Sequence, residues 1–217
     1  MSRSRPGRAL FATAAAAAVL MLASCAPAGD DGTGRGFTPP AVDVDVDTPA
    51  LRAAKKAAGI ADCPQPDGPT PQAEEPMPDV TLPCLGGGDP VDLTELRGPM
   101  VINLWAQWCP PCREELPYYQ ELHERAGDRL TVLGVDHLDT RPELAIELLA
   151  ETGVTYPSLA DPAGELRAPF RVRGLPGIVF LDEDGEVVAV EFVVIESFDQ
   201  LADLVETHLG VSVGAAG

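Results

Sequence analysis

Trp108-Cys109-Pro110-Pro111-Cys112 lies just beyond a short run, Met100 to Trp105, in which every residue but Asn103 is apolar. A run of that length suits a strand buried on both faces, whereas the stretch from about Pro110 to Ala126 carries apolar side chains at helical spacing. The motif therefore stands where a buried strand gives way to a helix, and the chain must supply a sheet with helices packed on it. Two cysteines three apart across a helix start lie one turn apart, the spacing a dithiol needs to open and close its own disulfide. Cys109, at the N-cap, has its sulfur among unpaired backbone N–H groups and at the positive end of the helix dipole, which favours its thiolate. Pro110 and Pro111 lack an N–H, but Cys112 keeps its own, the donor an N-cap acceptor normally uses. Cys109 is thus expected to attack a substrate disulfide and Cys112 to resolve the mixed disulfide. A zinc site would need two further ligands, and the chain offers only His123, His137 and His208 with no second CxxC. No metal and no cofactor is expected.

The pattern around the motif is regular from Asp79 onward. Residues 79–85 and 90–93, separated by Gly86-Gly87-Gly88-Asp89, predict a hairpin. Strands are expected at 130–135, 177–181 and 186–193, the last two around Asp182-Glu183-Asp184-Gly185. Helices are expected at about 141–151, with Leu144, Leu148 and Leu149 on one face, at 164–170 and at 198–209. Strands alternating with helices predict an α/β fold, a three-layer α/β/α sandwich with an added N-terminal β-hairpin.

Composition sets limits on partners. The 217 residues hold 15 Lys and Arg against 34 Asp and Glu, a formal charge of -19 that would repel a phosphate backbone, so nucleic-acid binding is excluded. Arg3, Arg5 and Arg8 precede residues 9–23, apolar except for Thr13, which fit the n- and h-regions of an export signal and fall short of the ~20 residues of a membrane span. The run ends in Leu22-Ala23-Ser24-Cys25, which resembles a bacterial lipobox; cleavage would leave Cys25 lipidated, the alternative being an ordinary secretory signal with an incidental cysteine. Residues 1–24 are therefore expected to be a signal peptide, 25–47 a flexible acidic tether, and the mature chain to sit on the extracytoplasmic face of the cell membrane, where disulfides persist. Asp43, Asp45 and Asp47 do not make a calcium loop, because Thr48 and Ala54 occupy the positions that need Gly and Glu.

Thr48-Pro49 opens a short helix that Gly59 ends. Cys63 and Cys84 flank a segment with six prolines from Pro64 to Pro78. A bridge between them is expected to be a structural disulfide that survives mild reductant; it would clasp residues 48–78 to a body at 79–210 and contribute about 3 kcal/mol by loop entropy. Free thiols or metal ligands compete with that bridge; export disfavours the first, and the absence of ligand spacing disfavours the second. Residues 211–217 are expected to be a flexible tail.

The stretch from Asn103 to Cys112 resembles the strand and active site of the thioredoxin superfamily, and its wider context is similar to the TlpA/ResA branch of membrane-tethered thiol:disulfide oxidoreductases. The branch shows CxxExP, matched by Cys112, Glu115 and Pro117, and often carries Asn where thioredoxin has a buried Asp, as at Asn103. Leu175-Pro176-Gly177 fits the cis-proline loop, although the residue after the proline is more often Thr or Ser. Cys63, Cys84 and the following glycines are similar to actinobacterial members. The resemblance implies that Glu115 moves the proton of Cys112, that Pro176 is cis and presents the Leu175 backbone to an extended substrate, and that the partners are protein thiols and disulfides together with a membrane electron donor. From the residues alone, a solvated glutamate of an acidic helix is the preferred reading of Glu115; the family pattern turns it toward the proton role. A peroxiredoxin would need threonine where Ala106 stands. The expected activity is reduction of protein disulfides, for example in cytochrome c maturation; the alternatives are an oxidant in disulfide formation and a Cu(I) chaperone using the same dithiol.

Overall fold

The computed structural model describes residues 42–65 and 71–214. The expected signal peptide, Cys25 and most of the expected tether lie outside them.

Helix α1, Pro49–Ala58, starts because the Thr48 side chain accepts from the Leu51 N–H and Pro49 already has helical φ; it ends at Gly59 in the left-handed conformation. A small antiparallel hairpin comes next, β1 (Thr81–Leu82) and β2 (Val91–Asp92). The main sheet contains β3 (Met100–Trp105), β4 (Thr131–His137), β5 (Ser158–Asp161), β6 (Gly177–Leu181) and β7 (Val187–Glu191), in the spatial order β5-β4-β3-β6-β7. The first three are parallel; β6 and β7 run antiparallel. Helix α2 (Pro110–Ala126) connects β3 to β4 and α3 (Pro142–Glu151) connects β4 to β5, while α4 (Phe198–Leu209) closes the fold. Successive right-handed crossovers in one direction place α2 and α3 on the same face.

Alternation along the strands divides the interior in two. Val101 and Trp105 of β3, Val132 of β4 and Phe180 of β6 pack beneath α2, α3 and α4. Ile102 and Leu104, Leu133 and Val135, and Val179 and Leu181 face the other way, onto Leu82, Val91, Leu93, Leu166 and Val172. The three layers are therefore helices, sheet, and a second cover made by the hairpin with the short 3-10 turns at Leu93–Glu95 and Glu165–Arg167. The helix expected at 164–170 is thus one 3-10 turn, and β5 is a strand that the sequence pattern does not announce.

Cys63 and Cys84 form a disulfide, Cα atoms 5.8 Å apart, that links the segment after α1 to the chain beside β5. Each of the two regions expected to be flexible, 25–47 and 211–217, holds a packed residue among those described. Val46 is buried and its carbonyl accepts from Gly86 N–H. Near the C-terminus Val213 is buried, and the Arg129 guanidinium donates to the Ser212 carbonyl at 2.5 Å.

Candidate active site

Cys109 is the N-cap of α2 and is joined by a disulfide to Cys112, the Cα atoms 5.4 Å apart. The Cys112 N–H points at Cys109 Sγ at 3.4 Å, so the one nearby donor the two prolines leave in place is aimed at the sulfur that would attack. Neither cysteine is open to solvent, at 3% and 1% exposure, whereas Trp108 beside them is 48% exposed. Its indole N–H donates to the Leu138 carbonyl at 3.1 Å, and Gln107 N–H donates to Asp139 Oδ2 at 3.2 Å. The motif loop is held from β4's far end as well as from its own strand.

The Leu175–Pro176 peptide is cis. Leu104 pairs with Gly177 in the antiparallel register of β3 and β6, so Pro176 comes level with the end of β3 that leads into the motif, and Leu175 packs on the core that holds both cysteines. Gly177 occupies the position after the proline for a visible reason: a Cβ there would lie 3.0 Å from the Phe192 ring and 3.3 Å from Leu104.

Beneath the dithiol the chain buries polar groups. Glu115, one turn after Cys112, is fully buried; its Oε1 accepts from Ile195 N–H at 2.7 Å and its Oε2 has no protein partner. Burial pushes its carboxyl up to about 7, opposed by the Ile195 hydrogen bond. Asn103 Nδ2 donates to the Tyr156 hydroxyl at 3.5 Å, while Asn103 Oδ1 and the Tyr119 hydroxyl lack protein partners. Burial raises both tyrosines, and the nearby Glu115 charge adds to it. A carboxyl that titrates near neutrality can accept and return a proton at the pH where thiol and thiolate exchange. Cys109, Cys112, Glu115 and Pro176 are thereby gathered at one end of β3, with Cys63 and Cys84 elsewhere.

Sequence reasoning missed the acids that end β4 and β5. Asp136, opposite Trp105, is pushed well up by burial and by its neighbour Asp139, whose other oxygen accepts from Arg141 N–H at 2.9 Å. His137 Nδ1 lies 2.7 Å from Asp161 Oδ2, and Asp161 also accepts from the N–H groups of Glu165 and Leu166. Acids at the end of an otherwise apolar strand, as in Val135-Asp136-His137-Leu138-Asp139, were the available signal. Among the described residues no group of three or more His, Cys, Asp or Glu could hold a metal ion. Among them, too, no helix is long and apolar enough to cross a membrane.

Comparison with known proteins agrees with this geometry. Residues 73–190 match the AhpC/TSA family model. The thioredoxin-like protein YneN of Bacillus subtilis is 33% identical over 119 residues, which cover 54% of this chain and 69% of YneN. The thiol-disulfide oxidoreductase ResA of Oceanobacillus iheyensis is 29% identical over 98 residues, covering 45% of this chain and 51% of ResA, so about half of that relative is spanned. Among solved structures, a secreted Mycobacterium tuberculosis disulfide oxidoreductase homologous to Escherichia coli DsbE superposes with TM-score 0.51 at 25% identity, over 59% of this chain and 96% of that one. With its dithiol at a strand-to-helix junction, its mixed sheet and these relatives, the chain belongs to the AhpC/TSA family as a thioredoxin-like thiol:disulfide oxidoreductase.

Proposed function

We propose that this chain is an extracytoplasmic, lipid-tethered enzyme that exchanges disulfides with protein thiols through Cys109 and Cys112 and works as a reductant. Its support is the Cys109–Cys112 bridge at the N-terminus of α2 with Glu115 buried one turn beneath. In the reduced enzyme the Cys109 thiolate attacks one sulfur of a substrate disulfide, and the other leaves as a thiol. Cys112, deprotonated by Glu115, then attacks Cys109 Sγ, releases the reduced substrate and restores the bridge. The flanking loop with Leu175 and cis Pro176 offers extended backbone to the substrate segment. Cys63–Cys84 serves as the clasp between α1 and the body.

The direction depends on how strongly the Cys109 thiolate is favoured. Cys112 N–H favours it, but Pro110 and Pro111 withhold two donors, and the net charge of -19 opposes a further negative group. That balance supports a potential nearer the about -270 mV of thioredoxin than the about -120 mV of strong oxidants. Such a pair reduces disulfides when a membrane donor supplies electrons, and the haem-attachment cysteines of an apocytochrome c are substrates of this kind. Equilibration of the Cys109–Cys112 pair with a glutathione buffer tests the direction: a value near about -120 mV would make the chain a disulfide-forming enzyme. Capture of a mixed disulfide on Cys109 in a Cys112→Ser variant, followed by mass identification, names the substrate.

A further inference from the structure

We propose that Cys63–Cys84 is a second, independently reducible disulfide, opened by a low-molecular-weight thiol that attacks Cys63 while Lys55 stabilises Cys84 as the leaving thiolate. Lys55, on the last turn of α1, is only 4% exposed, an unusual place for a lysine. Its Nζ lies 3.2 Å from Cys84 Sγ, 2.9 Å from the Gly87 carbonyl and 3.3 Å from Asp62 Oδ1. The chain makes room for it. Gly86 has φ +77, and a Cβ there would stand 2.9 Å from Lys55 Cβ and 3.1 Å from its Cδ.

Burying an ammonium costs free energy that good partners must offset. A disulfide sulfur is a poor acceptor, so in the closed bridge Lys55 gains little from Cys84. Once the bridge opens, the same atom is a thiolate facing a cation, a charge-assisted pair of the kind that lowers cysteine pKa values. Lys55 therefore favours the reduced form over the oxidised one, and it does so at one sulfur only.

Exposure favours the other cysteine for attack: Cys63 is 6% exposed against 1% for Cys84. Cys63 is among the residues lining a cleft of about 660 Å³, roomy enough for a small thiol, with Lys55, Ile60, Asp62, Gly87 and Asp89 among the others. A thiolate entering the cleft bonds to Cys63 Sγ, the Cys63–Cys84 bond breaks, and its electron pair goes to Cys84 Sγ beside Lys55. A second thiolate then attacks the small-molecule sulfur of the mixed disulfide and releases Cys63. Two small thiols become one small disulfide, and the protein gains two electrons and the protons its new thiols hold. Opening unties the segment after α1 from the chain beside β5.

The test uses the full chain carrying Cys109→Ser and Cys112→Ser, so that it stands apart from the activity proposed above. The protein is equilibrated with glutathione and its disulfide, quenched with acid and mapped by differential alkylation. Reversible opening in the folded protein is expected, with Cys84 alkylating as a thiol whose pKa lies below the about 8.5 of free cysteine. Lys55→Gln keeps an N–H for the Gly87 carbonyl and removes the charge; at about pH 9.5, where Cys84 is thiolate in both proteins, it is expected to lower the equilibrium constant for opening about tenfold, the equivalent of one pKa unit at Cys84. Should Lys55→Gln fail to fold, the Cys84 profile of the parent protein decides alone. A bridge that glutathione leaves closed, a Cys84 pKa at or above the free value, or an unchanged equilibrium in folded Lys55→Gln would each overturn the proposal.

Discussion

Glu115 is a buried carboxyl with one oxygen bonded to Ile195 N–H and the other without a protein partner, and burial raises it from 4.5 to about 7. Between those two values the folded chain binds more protons than the unfolded chain, so stability declines as pH rises and the loss is complete above about 7. At 1.36 kcal/mol per pKa unit the loss amounts to about 3 kcal/mol. Glu115→Gln carries no charge to bury, and the difference between urea stabilities at pH 5 and pH 8 is expected to shrink by about that amount. An unchanged difference would place the titration elsewhere. The same substitution removes the base that serves Cys112; disulfide exchange is expected to slow by roughly a hundredfold, with the inflection near pH 7 lost from its pH–rate profile. Position alone could suggest Glu115, since it stands one turn after Cys112. Its chemistry depends on Ile195, eighty residues away along the chain, which no local pattern announces.

At the scale of elements, β5 ends in a carboxylate that organises the 3-10 turn after it. Asp161 accepts from Glu165 N–H at 2.7 Å, from Leu166 N–H at 3.1 Å and meets His137 of β4, all out of solvent. Asp161→Ala leaves those donors without an acceptor and is expected to cost about 3 kcal/mol. Urea unfolding measures the loss, and amide exchange at Glu165 and Leu166 should accelerate with it; unaltered protection at those two amides would contradict the assignment. Gly134 in β4 is a second sensitive point, paired with Asn103 on one side and Ser158 on the other. A Cβ there would collide with Ser158 Oγ and stand 2.9 Å from Trp105 Nε1. Gly134→Ala is therefore expected to destabilise by about 1–3 kcal/mol, read from the same unfolding curve.

For the molecule as a whole, attachment to the membrane rests on Cys25 in the proposed lipobox. Cys25→Ala is expected to move the protein from the membrane fraction to the soluble fraction, and full-length protein still in the membrane fraction would refute the lipid anchor. By itself the sequence determined the elements whose boundaries are written within a single turn. Helix α1 has Thr48, Pro49 and Gly59, α2 has Cys109 before two prolines, and β3 is apolar enough to be buried whatever lies beside it. Those signals are local because the hydrogen bonds they satisfy are local. Strand β5 lacked them: Ser158–Asp161 is four residues long, polar at both ends, and becomes a strand because β4 presents an open edge from Gly134 to His137. Only the tertiary structure decided that Lys55 is buried against Cys84 while its neighbour Lys56 is exposed, and that Glu115 and Asp136 are raised carboxyl groups. Burial and charge pairing are set by segments that meet across the fold, and their effect on a titrating group exists only once water has been excluded from it.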